Sequence, residues 1–421
     1  MTIEDRVVAA VEDLRDEMVH LTGRLVRVPT VNPPGEQYVH AIHLLGDELR
    51  AHGYSVEFVA PRATRPEHPR VNVLGRMEGA RPRPTLHFNG HVDVVPAGDG
   101  WDGDPFSGAA IEGRVWGRGS SDQKAGIAAS IFAIEAIRRA GVRLAGSVEQ
   151  SGTVDEESGG AAGMAELCEQ GRISADRTDF VVLTEPLGVE RVCLGHRGVY
   201  WFEVIAHGRA AHGSMPALGR NAAEAMTRFV GRVQRDLAPR LASRRTAMPV
   251  EPASARSPSI NVNSLHAGQP AEEEQTPCVP DRAVAVFDRR FIPEESLGEV
   301  RREIGSLLEE QRAEDGEVLW ELRERLVVEP VATPREARVT SALADAIVAV
   351  RGRQAAFIAS PGTYDQKHVV RIGHVAECVA YGPGVLELAH QANEFVEIAD
   401  LVDATKVMAL ATLRLLGSSG A

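Results

Sequence analysis

The feature that most constrains this chain is a change of rhythm that happens twice. Up to about residue 196, short apolar runs alternate with segments of helical period. Val7, Val8, Val11, Leu14, Met18, Leu21 and Leu25 recur at helix spacing until "VPTVNPPGE" stops them with prolines. A second helix is expected over 36–52, strands over 71–77 and 84–95, and a helix over 123–140. "GSVEQSGT" and "DFVVLTEP" then read as two more strands. Strands alternating with helices imply an α/β layer around a mixed, mostly parallel sheet flanked by helices. Between 197 and 328 the order becomes strand, helix, strand, strand, helix, strand, the βαββαβ pattern of a ferredoxin-like unit. From 329 the first rhythm resumes, with a helix near 335–352, the strands "QAAFIAS" and "AECVAYGPG", and a last helix from about Ile398. The expected organisation is therefore a main domain in two parts, 1–196 and 329–421, with 197–328 inserted.

With 421 residues, 43% of them hydrophobic, the chain has enough apolar surface for more than one core. A net charge of −13 argues against nucleic acid or an anionic membrane as partner, because both select basic surfaces. Cys168, Cys193, Cys278 and Cys378 are widely spaced with no CxxC pair, so they read as reduced thiols. Charges run through the N-terminal apolar pattern, which excludes a signal-peptide core, and no run is long enough for a bilayer. A cytoplasmic location is expected. The "AEEEQ" run at 271–275 reads as a solvated loop.

Chemistry-bearing residues gather at the junctions of the α/β layer. In "GHVDVVP", His91 and Asp93 sit two apart near a strand end and project to one side. A metal-binding histidine usually gives its second ring N–H to a carboxylate, and Asp93 is placed for that; a hydrogen-bonded histidine near a turn is the plainer alternative. His87 and Asn89 share this parity and are assigned to packing. Asp122 in "GRGSSDQKAG" is a ligand candidate or a helix cap. Asp155, Glu156 and Glu157 in "TVDEESGG" are ligand candidates or a solvated turn, and Glu185 in "VVLTEP" a ligand candidate or a surface acid. His390, in the glycine-led loop "YGPGVLELAHQANE", makes a fifth site. In open α/β sheets such junctions converge on one edge. Consecutive Glu156 and Glu157 diverge, so one can reach a metal while the other faces a water. Oxygen and imidazole donors without thiolate suit zinc, cobalt or manganese in an open catalytic site.

With these residues assembled, the chain resembles the dizinc aminoacylase and carboxypeptidase family, which includes acetylornithine deacetylase, succinyl-diaminopimelate desuccinylase and glutamate carboxypeptidase. The likeness runs through "VRVPTVNPPGE", "GHVDVVP", "GRVWGRGSSDQKAG", "TVDEESGG", "TEP", "AAHGSMPALGRNA", "FDRRFIPEE" and "LAHQANE". It implies two divalent metal ions, zinc foremost. His91, Asp122 and Glu185 would hold one ion, and Asp122, Glu157 and His390 the other, with Asp122 shared. Asp93 would support His91, and Glu156 would be the base that takes a proton from water and delivers it to the leaving amine. The inserted domain would be a lid that also carries a homodimer contact. Its His212, in "AAHGSMP", would stabilise the oxyanion. Arg290 in "DRRF" would hold a substrate carboxylate, and Asn263, Gly362 and Thr363 would line the substrate.

Two departures stand out. The family commonly reads Met-Lys-Gly-Gly after the shared aspartate, whereas Gln123, Lys124, Ala125 and Gly126 follow here. The lid hairpin reads "HAGQPAEEEQTPCVPD" where a Gly-Gly turn is frequent. The expected reaction is hydrolysis of the C–N amide bond of a small N-acyl amino acid or related carboxylate. The alternatives are a dipeptidase or carboxypeptidase, or, with Gln123 in mind, an aminohydrolase or deformylase acting on an aromatic amino-carboxylate or heterocycle. A catalytically idle homologue would lack the base or a ligand, and all are present. No GxxxxGK[ST] or GxSxG motif occurs, which removes the nucleotide and serine-nucleophile readings.

Overall fold

The computed structural model describes residues 1–62, 67–270, 273 and 276–419. Four of the five residues of the "AEEEQ" run, all but Glu273, lie outside the described residues. By its contacts the chain divides into two compact units. One comprises Met1–Gly195, Thr333–Ile358 and Tyr364–Ala421, the other His196–Ala332 and Ala359–Thr363.

The first stretch of the chain forms α1 (Ile3–Asp13), α2 (Arg15–Val26), α3 (Tyr38–Ala51), β1 (Ser55–Val59), β2 (Asn72–Met77), β3 (Thr85–His91), α4 (Ala125–Arg139), β4 (Ser147–Thr153), β5 (Phe180–Leu183) and β6 (Arg191–His196). A capping box of Thr2 and Asp5 starts α1. The apolar stripe expected of one helix is shared by two, because the backbone turns at Leu14, yet Val7, Val11, Leu14 and Met18 remain fully buried along it.

The second unit forms β7 (Gly198–His207), α5 (Ala222–Arg232), β8 (Ser259–Ala267), β9 (Arg282–Phe291), α6 (Leu297–Asp315) and β10 (Leu319–Val328). Its sheet runs β8-β9-β7-β10 with every pair antiparallel. Tyr200, Phe202, Val204 and Ala206 alternate onto one face of β7 and pack in a core with Phe229 of α5 and Ile304 and Leu308 of α6.

On its return the chain forms α7 (Arg338–Arg351), α8 (Gln366–Arg371), β11 (Cys378–Ala380) and α9 (Ile398–Leu416). Within the first unit the sheet then runs β1-β2-β4-β3-β5-β11-β6. The sheet is mixed, with parallel pairing in its centre: β4 with β3, β3 with β5, and β5 with β11. The pairs β1 with β2, β2 with β4, and β11 with β6 are antiparallel. A buried apolar run does not encode its direction, so this division was not readable from the residues.

Strands β3 and β4 are buried from end to end although they carry His87, Asn89, Glu149 and Ser151. These side chains satisfy one another. His87 Nδ1 lies 3.2 Å from Glu149 and its Nε2 2.7 Å from Ser151 Oγ, and Asn89 donates to Ser151 at 2.9 Å. Helix α4 packs against α1, α2 and α9. The four cysteines are free thiols, three of them buried and Cys278 exposed. No helix among the described residues is long and apolar enough to cross a membrane.

Candidate metal centre

The parallel register brings the junctions together. His91 at the end of β3 is paired with Thr153 at the end of β4, and Asn89 with Leu183 at the end of β5. The turn at 155–157 and the Thr184–Glu185 segment therefore leave the sheet beside His91. Ala380, the last residue of β11, pairs with Leu183, so the loop leading to His390 starts from the same edge. Asp122 stands just before α4, in the crossover between β3 and β4, joined to Gln123 by a cis peptide bond.

One carboxylate stands between two imidazoles. Asp122 Oδ1 is 3.2 Å from His91 Nε2, and its Oδ2 is 3.5 Å from His390 Nε2. His390 Nε2 is also 3.1 Å from the Glu157 carboxylate. Donor atoms of His91, Asp122 and Glu157 lie within 4.8 Å of one another. Asp93 meets His91 through its backbone: the imidazole Nδ1 is 2.9 Å from the Asp93 carbonyl and 3.6 Å from Oδ1 of its carboxylate. That carboxylate, fully buried, instead accepts the backbone N–H of Glu156 (3.2 Å), that of Glu157 (3.1 Å), and the Asn32 amide (2.9 Å). Asp93 thus fixes the turn that carries both glutamates.

Burial and mutual repulsion set the charges here. Burial raises Glu156, and raises Glu157 to about 7 against the hydrogen bond from His390. Burial, with the negative charges of Asp122 and Glu156 added, raises Glu185 well above the carboxylate range. Burial also works to raise Asp122, but hydrogen bonds from His390 and His91 hold it below that range. The same hydrogen bonds, to Asp122 and Glu157, raise His390 to about 10. His91 is raised as well: burial opposes this, and the hydrogen bonds to Asp122 and Asp93 outweigh it. Carboxylates and imidazoles are thus crowded into one nest. The oxygen and nitrogen donor set fits divalent cations.

Gln123 is occupied inside the fold. Its buried amide oxygen accepts the Thr184 hydroxyl at 2.8 Å, tying the Asp122 segment to the residue before Glu185. The remaining residues singled out in the sequence belong to the second unit. His212 is exposed, with Nδ1 2.7 Å from Ser214 Oγ. Arg290 forks onto Asp288 at 2.7 and 3.0 Å, and its neighbour Arg289 is buried against Glu295. Asn263 is exposed and accepts from Asn261 at 2.8 Å. The Gly362 N–H meets Ser360 Oγ at 3.1 Å, and Thr363 follows in the same half-buried turn.

Several participants were not singled out in the sequence. Glu394, in the "HQANE" stretch, accepts the backbone N–H groups of Gly119, Ser121 and Asp122. Asp365 is buried, with both carboxylate oxygens lacking a hydrogen-bond partner among the described residues; burial raises it to about 7. Lys367 Nζ lies 4.0 Å from it. Asn32 lies more than 55 residues from the other groups it joins in sequence.

Parallel strands that deliver imidazoles and acids to one edge of an α/β unit form a candidate divalent-metal centre, and the family match and desuccinylase relatives make the protein a metallo-amidohydrolase. The chain belongs to peptidase family M20/M25/M40, whose model matches residues 87–414. Succinyl-diaminopimelate desuccinylase of Bordetella bronchiseptica is 30% identical over 392 residues, spanning 91% of this chain and 94% of that protein. The desuccinylase of Methylorubrum extorquens is 31% identical over 392 residues, 90% of this chain and 94% of that one. Among solved structures, human carnosine dipeptidase 1 superposes with a TM-score of 0.75 at 19% identity, covering 99% of both chains. An M20 metallo-carboxypeptidase of Sulfolobus solfataricus gives 0.74 at 20% identity, covering 95% of this chain and 99% of that one. At these identities the solved structures speak to the fold alone.

Proposed function

We propose that the protein hydrolyses the C–N amide bond of a small N-acyl amino acid or related carboxylate, in the manner of a deacetylase or desuccinylase. The observation that carries this reading is the Asp122 carboxylate standing between His91 and His390 beside the Glu156–Glu157 turn. The desuccinylase relatives, which span nearly the whole chain, support the substrate class.

In this reading His91, Asp122 and Glu185 hold one divalent ion, and Asp122, Glu157 and His390 hold a second. The metal is zinc, with cobalt or manganese as alternatives. When bound, such ions lower the pKa of water towards about 7 and polarise the acyl carbonyl. Glu156 takes the proton of the attacking water and returns it to the leaving amine, and burial, which raises its pKa, favours the return of that proton. Asp93 holds the Glu156 backbone so that the side chain keeps its aim. His212 donates to the tetrahedral oxyanion from a lid unit that also forms a homodimer contact. Arg290, paired with Asp288 in this structure, turns its guanidinium fork to the substrate carboxylate, whose geometry it matches bidentately. Asn263, Gly362 and Thr363 line the substrate. The enzyme works in the cytoplasm on small molecules.

The test is hydrolysis of a panel of N-acyl amino acids, dipeptides and aminoaryl carboxylates by metal-reconstituted protein, with Glu156→Ala alongside. The expected result is turnover of N-acyl amino acids, lowered about 10²–10⁴-fold in the variant at unchanged metal content. Turnover confined to dipeptides would move the assignment to a dipeptidase. No turnover by metal-loaded wild type across the panel would refute amide hydrolysis.

A further inference from the structure

Arg118 and Glu394 form an ion pair inside the first unit, outside the ligand set named above. Arg118 Nη1 donates to Glu394 Oε2 at 2.6 Å, and the two residues are 1% and 0% exposed. Each spreads to other segments. Glu394 Oε1 accepts three backbone donors from one short stretch: Gly119 N–H at 3.0 Å, Ser121 N–H at 2.9 Å and Asp122 N–H at 3.0 Å. Arg118 also donates Nη1 to the Gln391 carbonyl at 3.0 Å and Nη2 to the Ala97 carbonyl at 3.2 Å, and its guanidinium lies 5.2 Å from the Trp101 ring centre. A reciprocal pair reinforces the joint: Asp102 N–H donates to Asn393 Oδ1 at 3.0 Å, and Asn393 Nδ2 to Asp102 Oδ2 at 2.9 Å.

Three stretches of chain therefore meet on one ion pair: the loop after β3, the loop ending at Asp122, and the loop after His390. Converging N–H groups form a cradle that selects a negative charge. A buried ion pair by itself contributes little stability compared with apolar packing, so fixed geometry is what this arrangement supplies. Asp122 belongs to both constructions: its N–H lies in the cradle and its carboxylate stands between the imidazoles. Both oxygens of Glu394 are engaged, so it is not itself free to bind a metal.

We propose that the Arg118–Glu394 pair is a positioning element that sets the Asp122 carboxylate and the His390 imidazole at the spacing of a shared divalent cation. The inference rests on reading Asp122 and His390 as metal ligands. In Glu394→Gln, the amide keeps one acceptor for the N–H groups but turns a donor towards Arg118. The expected variant retains the wild-type far-UV circular dichroism and binds a first zinc equivalent normally, but binds the second about 10–100-fold more weakly. The visible spectrum of its cobalt-substituted form changes, and kcat falls about 10–100-fold with KM within twofold. Arg118→Lys, which keeps the cation but not the fork, shifts both readouts in the same direction and stands in if Glu394→Gln does not fold. A zinc isotherm and cobalt spectrum superimposable on wild type in the folded variants would overturn the proposal. Failure of the wild type to take up two equivalents would overturn it too, together with the ligand assignment beneath it.

Discussion

Gly126→Ala tests how closely the two sides of the centre are packed. Gly126 lies in the first turn of α4, four residues after Asp122, and it faces Thr184, the residue before Glu185. A Cβ added there would fall 2.2 Å from the Thr184 carbonyl oxygen, 2.6 Å from its Cβ and 2.8 Å from its hydroxyl oxygen. Carbon and carbonyl oxygen approach to about 3.3 Å, so the start of α4 and the Thr184–Glu185 segment must part by about 1 Å. The obstacle is backbone and cannot rotate away. Because Asp122 and Glu185 flank the contact, that separation carries into the centre, where a 1 Å misplacement costs about 10²-fold in rate. Overpacking adds about 1–3 kcal/mol of destabilisation. The assay is kcat on an N-acyl amino acid, with urea unfolding measured in parallel. Gly231→Ala is the control: it lies exposed near the end of α5 with no atom within 4 Å of the added Cβ, and the helix should gain about 0.5–1 kcal/mol with kcat unchanged. A kcat for Gly126→Ala within threefold of wild type, with an unchanged urea midpoint, would refute the reasoning.

Two further outcomes are expected. Burial, with the Lys367 charge added, lowers His368 to about 4, below its ordinary value of about 6.5. The unfolded chain therefore takes up a proton between pH 6.5 and 4 that the folded chain refuses, and stability falls as pH falls through that window. The loss is on the order of 1–3 kcal/mol, and His368→Gln should flatten that part of a urea-midpoint profile against pH. Removing metal with a chelator should lower the melting temperature, since a ligand at 100 times its Kd contributes about 2.7 kcal/mol. The loss should be greater at pH 8 than at pH 5.5, because Glu157, raised to about 7, is then ionised in the folded state without a cation to offset it. A melting temperature independent of chelator at both pH values would count against a metal centre.

Much of the architecture lay in local pattern. The helix expected over 123–140 is α4 at Ala125–Arg139, and that over 36–52 is α3 at Tyr38–Ala51. The strand expected over 84–95 ends at His91, yet Val92 and Val94 stay fully buried beyond it. Apolarity reports burial, and ladder pairing is a separate matter. The candidate centre was legible for the same local reason: acids and histidines at strand ends stand out against apolar runs, and His91, Asp122 and Glu157 do come together.

What the sequence determined alone was the kind of each element, the junctions at which the chain offers candidate ligands, and a net charge of −13. Only the tertiary structure decided which junctions meet. The strand order β1-β2-β4-β3-β5-β11-β6 sets Thr153 beside His91, and no periodicity within a strand names its neighbour. The same holds for Asp93, whose carboxylate serves two backbone N–H groups more than 60 residues away, and for Glu394, which reaches back more than 270 residues to hold the Asp122 loop. Side-chain and backbone periodicity are properties of a few consecutive residues, whereas the partners of Asp93 and Glu394 are supplied by distant parts of the chain, because folding leaves few buried polar groups unpaired.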